Sequence, residues 1–191
     1  MAKKNQRTVC TGLEWSDFLF LIESLKRKEE YRFMILIAAG VYLGLRASDI
    51  IQLKWEQLLN HDTFEVKEKK TGKSRFLTVN PALKELVQVA ADKLQPPENS
   101  LLMTNRKGGP ISIQHFNRKL HGIFNEYKIP AGNGSTHTLR KTFGKRIFQL
   151  NNKSENSLIL LSKVFNHSST AITREYLGIT QSYISDVFLS L

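Results

Sequence analysis

Apolar residues recur at helical intervals through most of this chain and alternate in only one short region. Leu13, Phe18, Leu21, Ile22 and Leu25 predict a first helix. Thr11-Gly12-Leu13-Glu14 has the form of a capping box in front of it. From about Glu30 to Leu43 the chain is apolar nearly all round (Phe33, Met34, Ile35, Leu36, Ile37, Val41), which predicts a helix buried in the middle of a domain. Leu53-Lys54-Trp55 and Thr63-Phe64-Glu65-Val66-Lys67 read as short strands. Lys70-Thr71-Gly72-Lys73 is a turn and Arg75 to Val79 the return strand of a hairpin.

The rest of the pattern is helical. Asn80-Pro81 is a cap followed by proline at the first helical position, and Leu83, Leu86, Val87 and Ala90 form the stripe behind it. Leu101-Leu102-Met103 reads as a short extended piece, and Arg106-Lys107-Gly108-Gly109-Pro110 as a basic turn. Ser112 caps a helix with Phe116, Leu120, Ile123, Phe124 and Tyr127 inward. A loop rich in Gly and Asn leads to a helix from about Thr136 to Leu150, with Leu139, Phe143 and Ile147 inward. Asn151 to Asn156 breaks the chain. Leu158, Leu161, Val164 and Phe165 make another helix, and Thr170 to Tyr176 a further short one. Thr180 to Leu191 carries Tyr183, Ile184, Val187, Phe188 and Leu191 on one side, as an amphipathic helix that packs on its own domain or on a neighbour. The expected class is mainly α with a small antiparallel β-sheet (α+β).

Charge changes the picture. The 191 residues hold 28 Lys+Arg against 17 Asp+Glu, a formal net charge of +11, which points to a polyanionic partner, nucleic acid first. The basic residues are spread through the chain, which favours a binding surface over a disordered arm. Cys10 is the single cysteine, so a disulfide framework and a cysteine-type zinc site are excluded and a reducing cytoplasm fits. The longest apolar run, Phe33 to Leu45, is short of the roughly 20 residues that span a bilayer. The basic first residues have no apolar stretch behind them and make no secretory signal. No membrane is implied.

One stretch concentrates side chains that act on phosphate. His137 and Arg140 stand three apart near a helix N-terminus, where the dipole favours an anion. His167 follows, with Tyr176 nine residues further on. Earlier, Arg46 sits just after a glycine break with Asp49 three residues on, and the hairpin tip carries Lys67, Lys69, Lys70, Lys73 and Arg75. Metal-free cleavage of a phosphodiester needs a nucleophile, donors for the non-bridging oxygens, an acid for the leaving oxygen and a base. Tyr176 can attack, Arg46 and Arg140 can clamp, His137 and His167 can move protons, and a hairpin lysine can be the acid. His137, His167 and Asp49 could alternatively bind zinc, but the spacing matches no common zinc motif.

Gly44-Leu45-Arg46-Ala47-Ser48-Asp49, His137-Thr138-Leu139-Arg140-Lys141-Thr142-Phe143 and Asn166-His167-Ser168-Ser169, with Thr173 and Tyr176, come in that order. In these three boxes, spanning roughly residues 11 to 191, the chain resembles the catalytic domain of the tyrosine recombinases, the phage-integrase family. The resemblance implies that Tyr176 forms a 3′-phosphotyrosyl bond and releases a 5′-hydroxyl. It implies that Arg46 and Arg140 clamp the scissile phosphate, Lys70 is the acid with Lys73 as its rival, His137 and His167 assist, and Asp49 supports the site from behind. It further implies double-stranded DNA as partner, no ATP or metal cofactor, and a homo-oligomer, commonly a tetramer, in which the last helix docks on the next protomer. Lys69, Lys73, Arg75, Arg106, Lys107 and Lys141 are the candidate DNA contacts.

Two departures stand out within the boxes. Asn166 occupies a position where the family usually has glycine, and Leu177-Gly178 stand where a histidine often follows the tyrosine. The expected organisation is a basic lead-in over 1–10, a catalytic domain over 11–178 and a docking helix over 179–191. A helical core-binding domain usually precedes the catalytic one, so the expectation is a fragment of a longer protein or a minimal member, with weak DNA binding. Two other readings stay open: a non-catalytic DNA-binding or regulatory module, and a DNA-relaxing topoisomerase.

Overall fold

A computed structural model describes residues 10–179 and 188–190. Residues 1–9 of the predicted lead-in and most of the last predicted helix lie outside the described residues. The architecture is helical, with one two-stranded antiparallel sheet among the described residues.

The centre is α2 (Tyr31–Leu43), in which every residue but Arg32 and Tyr42 is buried. Helices α1 (Trp15–Arg27), α5 (Pro81–Leu94) and α7 (Thr136–Leu150) pack around it. Burial on all sides is what an apolar helix without a polar face requires. α2 ends at Gly44, whose φ of +58° is left-handed. A Cβ there would lie 2.7 Å from the Phe143 ring, so both backbone and packing call for glycine.

The chain leaves α2 through α3 (Ala47–Ile50) and α4 (Trp55–Leu59) to the hairpin of β1 (Thr63–Lys67) and β2 (Ser74–Thr78), paired Thr63 with Thr78 through Lys67 with Ser74. α5 follows, capped by the Asn80 side chain, and then α6 (Ile113–Glu126), capped by Ser112. α7 is capped by Ser135. α8 (Glu155–Phe165) and α9 (Thr170–Leu177) complete the described fold.

Three local expectations are corrected. Leu53-Lys54-Trp55 is not a strand: Lys54 makes one isolated bridge to Leu101, and Trp55 already opens α4, where the Gln57 side chain accepts from the Lys54 backbone N–H. Thr11 does not cap α1; Glu14 holds that position without a side-chain cap bond, and the Leu13 N–H donates instead to Thr142 Oγ1 at 2.9 Å. The break after α7 is shorter than expected, because Ser154 caps α8 and Glu155 is already helical.

The buried apolar residues fall into two groups. The large one joins α1, α2 and α5 to parts of α6 and α7. A small one holds Phe148, Leu158, Leu161, Phe165 and Ile179, with Tyr176 and Leu177 packed against it.

Candidate active site

A cavity of about 460 Å³ opens between α3, the hairpin turn, α6, α7 and the α8–α9 junction. Arg46, Lys70, Thr71, His137, Arg140, His167 and Tyr176 all line it. Four separate pieces of chain therefore deliver these side chains to one place, and α6 adds Ile113 and Asn117 to the wall.

The two arginines are held from behind by the same atom. Arg46 Nη2 donates to the Phe165 carbonyl at 3.2 Å, and Arg140 Nη2 donates to it at 3.0 Å. Phe165 is the last residue of α8, so this carbonyl is one of the acceptors that a helix end leaves unpaired, at the negative end of the dipole. Arg140 Nη1 donates to the Gly44 carbonyl, and its guanidinium lies 4.4 Å from the Phe165 ring centroid. Arg140 is 4% exposed. Burial lowers its pKa to about 10, with the neighbouring Arg46 and Arg75 adding to the shift while Tyr176 and Glu68 oppose it. It remains a cation at neutral pH.

Asn166 caps α8 at φ +53°, and the His167 N–H then donates to the Ser162 carbonyl at 2.9 Å. Asparagine is among the few residues that tolerate this left-handed geometry. The departure from the usual glycine therefore keeps the turn that presents His167. His167 Nδ1 lies 3.0 Å from Thr173 Oγ1, leaving Nε2 as the nitrogen available to the cavity. Desolvation lowers the His167 pKa, and the charges of Arg140 and Arg46 lower it further. His137 is exposed overall, yet desolvation by its surroundings, then the charges of Lys141, Arg140 and Lys70, also hold it below the usual histidine value.

Tyr176 packs its ring edge-on against Phe165 at 5.5 Å and His167 at 5.4 Å. Its hydroxyl is buried beside Arg140, close enough to feel that guanidinium but without a well-aligned hydrogen bond among the described residues. Burial raises its pKa to about 12; Arg140 and Arg46 pull it back only in part.

The hairpin turn forms one wall of the cavity. Lys70 lines the cavity and Lys73 does not. Asp49 does not pair with Arg46. It turns to the hairpin, where Oδ1 accepts the Lys69 backbone N–H at 3.0 Å and the Ser48 hydroxyl at 3.1 Å. Arg46 instead pairs with Glu68, Nη1 to Oε2 at 2.6 Å. Glu68 is 2% exposed and also accepts from the Thr71 hydroxyl at 2.9 Å. Burial alone would raise its pKa; the bonds from Arg46 and Thr71 and the charges of Arg46 and Arg75 outweigh it, and the net shift is downward. Sequence reading passed over Glu68. The signal was there: it follows Phe64 and Val66 at intervals of two, carrying the buried alternation of β1 one residue past the end of the strand.

Two candidate DNA contacts are corrected. Arg75 Nη1 donates to the Val164 carbonyl at 2.6 Å and its Nε lies 3.5 Å from Glu68, so it braces α8 against the hairpin. Lys141 is 9% exposed, with Nζ on the Cys10 carbonyl at 2.9 Å and 5.1 Å from the Tyr176 ring centroid. Both are drawn inward because unpaired carbonyls there need donors. Lys69, Lys73, Arg106 and Lys107 are exposed. Among the described residues no group of three His, Cys, Asp or Glu side chains is gathered to hold a metal.

The sequence pattern of the phage integrase family matches residues 13–182 of this chain. The chain belongs to that family. A probable integrase/recombinase of Bacillus subtilis strain 168, YoeC, is 32% identical over 160 residues, covering 82% of this chain and 81% of that protein. Among solved structures the fold resembles XerA recombinase, with a TM-score of 0.69 at 19% identity over 94% of this chain and 64% of that one. It equally resembles XerH site-specific recombinase bound to palindromic difH substrate as a post-cleavage complex, with a TM-score of 0.69 at 22% identity over 96% of this chain and 54% of that one. This integrase-family chain thus spans between about half and two thirds of the length of those recombinases. No helix among its described residues is long and apolar enough to cross a membrane.

Proposed function

We propose that this chain cuts and rejoins double-stranded DNA at a defined site through a 3′-phosphotyrosyl intermediate, as a tyrosine-type site-specific recombinase. The observation that carries the reading is the meeting of Arg46, Lys70, His137, Arg140, His167 and Tyr176 around one cavity. The Tyr176 oxygen attacks phosphorus, the bond to the 5′ oxygen breaks, and the 3′ phosphate stays on the tyrosine. Lys70 gives its proton to the departing 5′ oxygen. The phenol proton passes to His137 or His167, in both of which burial and the neighbouring cations favour the uncharged form that can accept it.

Charge builds on the two non-bridging oxygens as the five-coordinate state forms. Arg46 and Arg140 each have two N–H groups fixed on the protein, and both guanidiniums line the cavity where the phosphate would sit. Their fixed placement stabilises that charge without reorganisation. Rejoining runs the steps in reverse with a 5′-hydroxyl as nucleophile, so the phosphotyrosine conserves the bond energy and neither ATP nor a metal cofactor enters. Exposed Lys69, Lys73, Arg106 and Lys107 suit backbone phosphate contacts. Assembly on DNA is read as a homo-oligomer, a tetramer.

The test is covalent capture. A pool of nicked duplexes with randomised sequence 3′ and 5′ of the nick is incubated with the protein, and adducts that survive denaturation are sequenced. A recurrent site joined to wild type and absent with Tyr176→Phe is expected. Adducts that persist in Tyr176→Phe, or none with wild type, would overturn the reading in favour of another nucleophile or a non-catalytic DNA-binding module.

A further inference from the structure

We infer that Glu68 is the positioning residue that locks the phosphate clamp to the hairpin carrying the acid, an inference that rests on the strand-cleavage reading above. Its carboxylate is almost wholly buried and joins three partners from separate places in the fold. Oε2 takes Arg46 Nη1 at 2.6 Å and the Thr71 hydroxyl at 2.9 Å, while Arg75 Nε stands 3.5 Å from Oε1. Arg46 and Arg75 in turn donate to the last two carbonyls of α8, those of Phe165 and Val164. Thr71 is the residue after Lys70, and the turn is closed around them by Gly72 N–H to the Glu68 carbonyl at 2.8 Å and Glu68 N–H to the Lys73 carbonyl at 2.9 Å.

One side chain therefore fixes two distances that the chemistry needs at once. Through Arg46 it sets where the non-bridging oxygens are met, and through Thr71 it sets where Lys70 stands relative to the departing oxygen. A buried carboxylate among Arg46, Arg75 and the nearby Arg140 also offsets their mutual repulsion, which helps hold two guanidiniums on one carbonyl. Glu68 touches no reacting atom; its effect runs through the two groups that do.

Two variants separate this role from general support of the fold. Glu68→Gln keeps the shape and loses the charge. Thr71→Val releases the hairpin without touching Arg46. Both are compared with wild type in single-turnover cleavage of the captured site made in three forms: ordinary DNA, DNA with a 5′-bridging phosphorothiolate, whose thiolate leaves without a proton, and DNA with a scissile methylphosphonate, which carries less charge to neutralise. On ordinary DNA, Glu68→Gln is expected to be about 10- to 100-fold slower, the loss seen when a group that orients a ligand-holding side chain is removed. Thr71→Val is expected to be about fivefold slower, the factor for one ordinary hydrogen bond. The Thr71→Val deficit should vanish on the phosphorothiolate and persist on the methylphosphonate, whereas the Glu68→Gln deficit should shrink on both. Wild-type rates in the two variants, or deficits equal on all three substrates, would overturn the inference while leaving strand cleavage standing. Failure of wild type to cleave any form would overturn the parent reading and this inference together.

Discussion

Arg140 shows how much one side chain carries. It pairs with the Gly44 and Phe165 carbonyls, stacks on Phe165 and lines the cavity. Arg140→Ala is expected to raise the cleavage barrier by ~3–4 kcal/mol, the scale of a lost oxyanion donor. Arg140→Lys should restore little, because an ammonium cannot span the same forked set of acceptors. Single-turnover cleavage checks both; a wild-type rate in either variant contradicts the clamp. Tyr176 gives a pH signature that needs no DNA. Its folded pKa lies near 12 against an ordinary 10.0, so the folded state keeps a proton that the unfolded chain gives up. Stability from that burial is full below pH 10 and declines as pH rises toward 12. Denaturant midpoints of wild type and Tyr176→Phe should run parallel below pH 10, with wild type dropping relative to the variant above it. Parallel behaviour up to pH 12 would show that the phenol is not buried as described.

At the scale of elements, the site is built from helix ends and one turn. The C-terminus of α8 is the pivot, since its last carbonyls collect Arg46, Arg75 and Arg140 and its left-handed cap launches His167. Asn166→Gly should leave stability unchanged or slightly improved, and Asn166→Ala should cost about 1 kcal/mol, because alanine pays the left-handed penalty without asparagine's local compensation. Urea unfolding measures this; equal midpoints for the two would remove the strain from the account. Much at this scale was legible beforehand. The caps at Asn80, Ser112 and the buried stripe of α2 follow from local chemistry that acts within a few residues. Lys54 misled because the Gln57 side chain caps a helix that opens at Trp55, and Thr11 because the Leu13 N–H beside it finds the distant Thr142 hydroxyl.

Across the whole molecule, Arg46 and Tyr176 are carried by elements that pack on different apolar groups, and the C-terminus of α8 joins the two. Arg46 follows directly from the large core through α2 and Gly44, while Tyr176 packs on the small group around Phe165 and Leu161. A small apolar group anchors its helices less firmly than a large one. Amide exchange in α9 (Thr170–Leu177) should therefore proceed through openings of lower free energy than exchange in α2 (Tyr31–Leu43). Equal protection of both would show that the domain opens as one unit. In the proposed reaction, a tyrosine on the softer unit suits a residue that would have to meet a phosphate arriving with DNA.

The sequence by itself determined the helical class, a hairpin, the basic charge and which residues are candidates for handling phosphate, because each depends on residue type, short spacing or total charge. Folding decided which groups meet and how they are held. Glu68 in place of Asp49 behind Arg46, the choice of Lys70 over Lys73 on the cavity wall, and the inward turn of Arg75 and Lys141 all depend on contacts between residues far apart in the chain. Buried carbonyls and carboxylates must find donors wherever the packed helices put them. That demand, arising only once α8 is seated against the hairpin and α7, assigned the arginines their places.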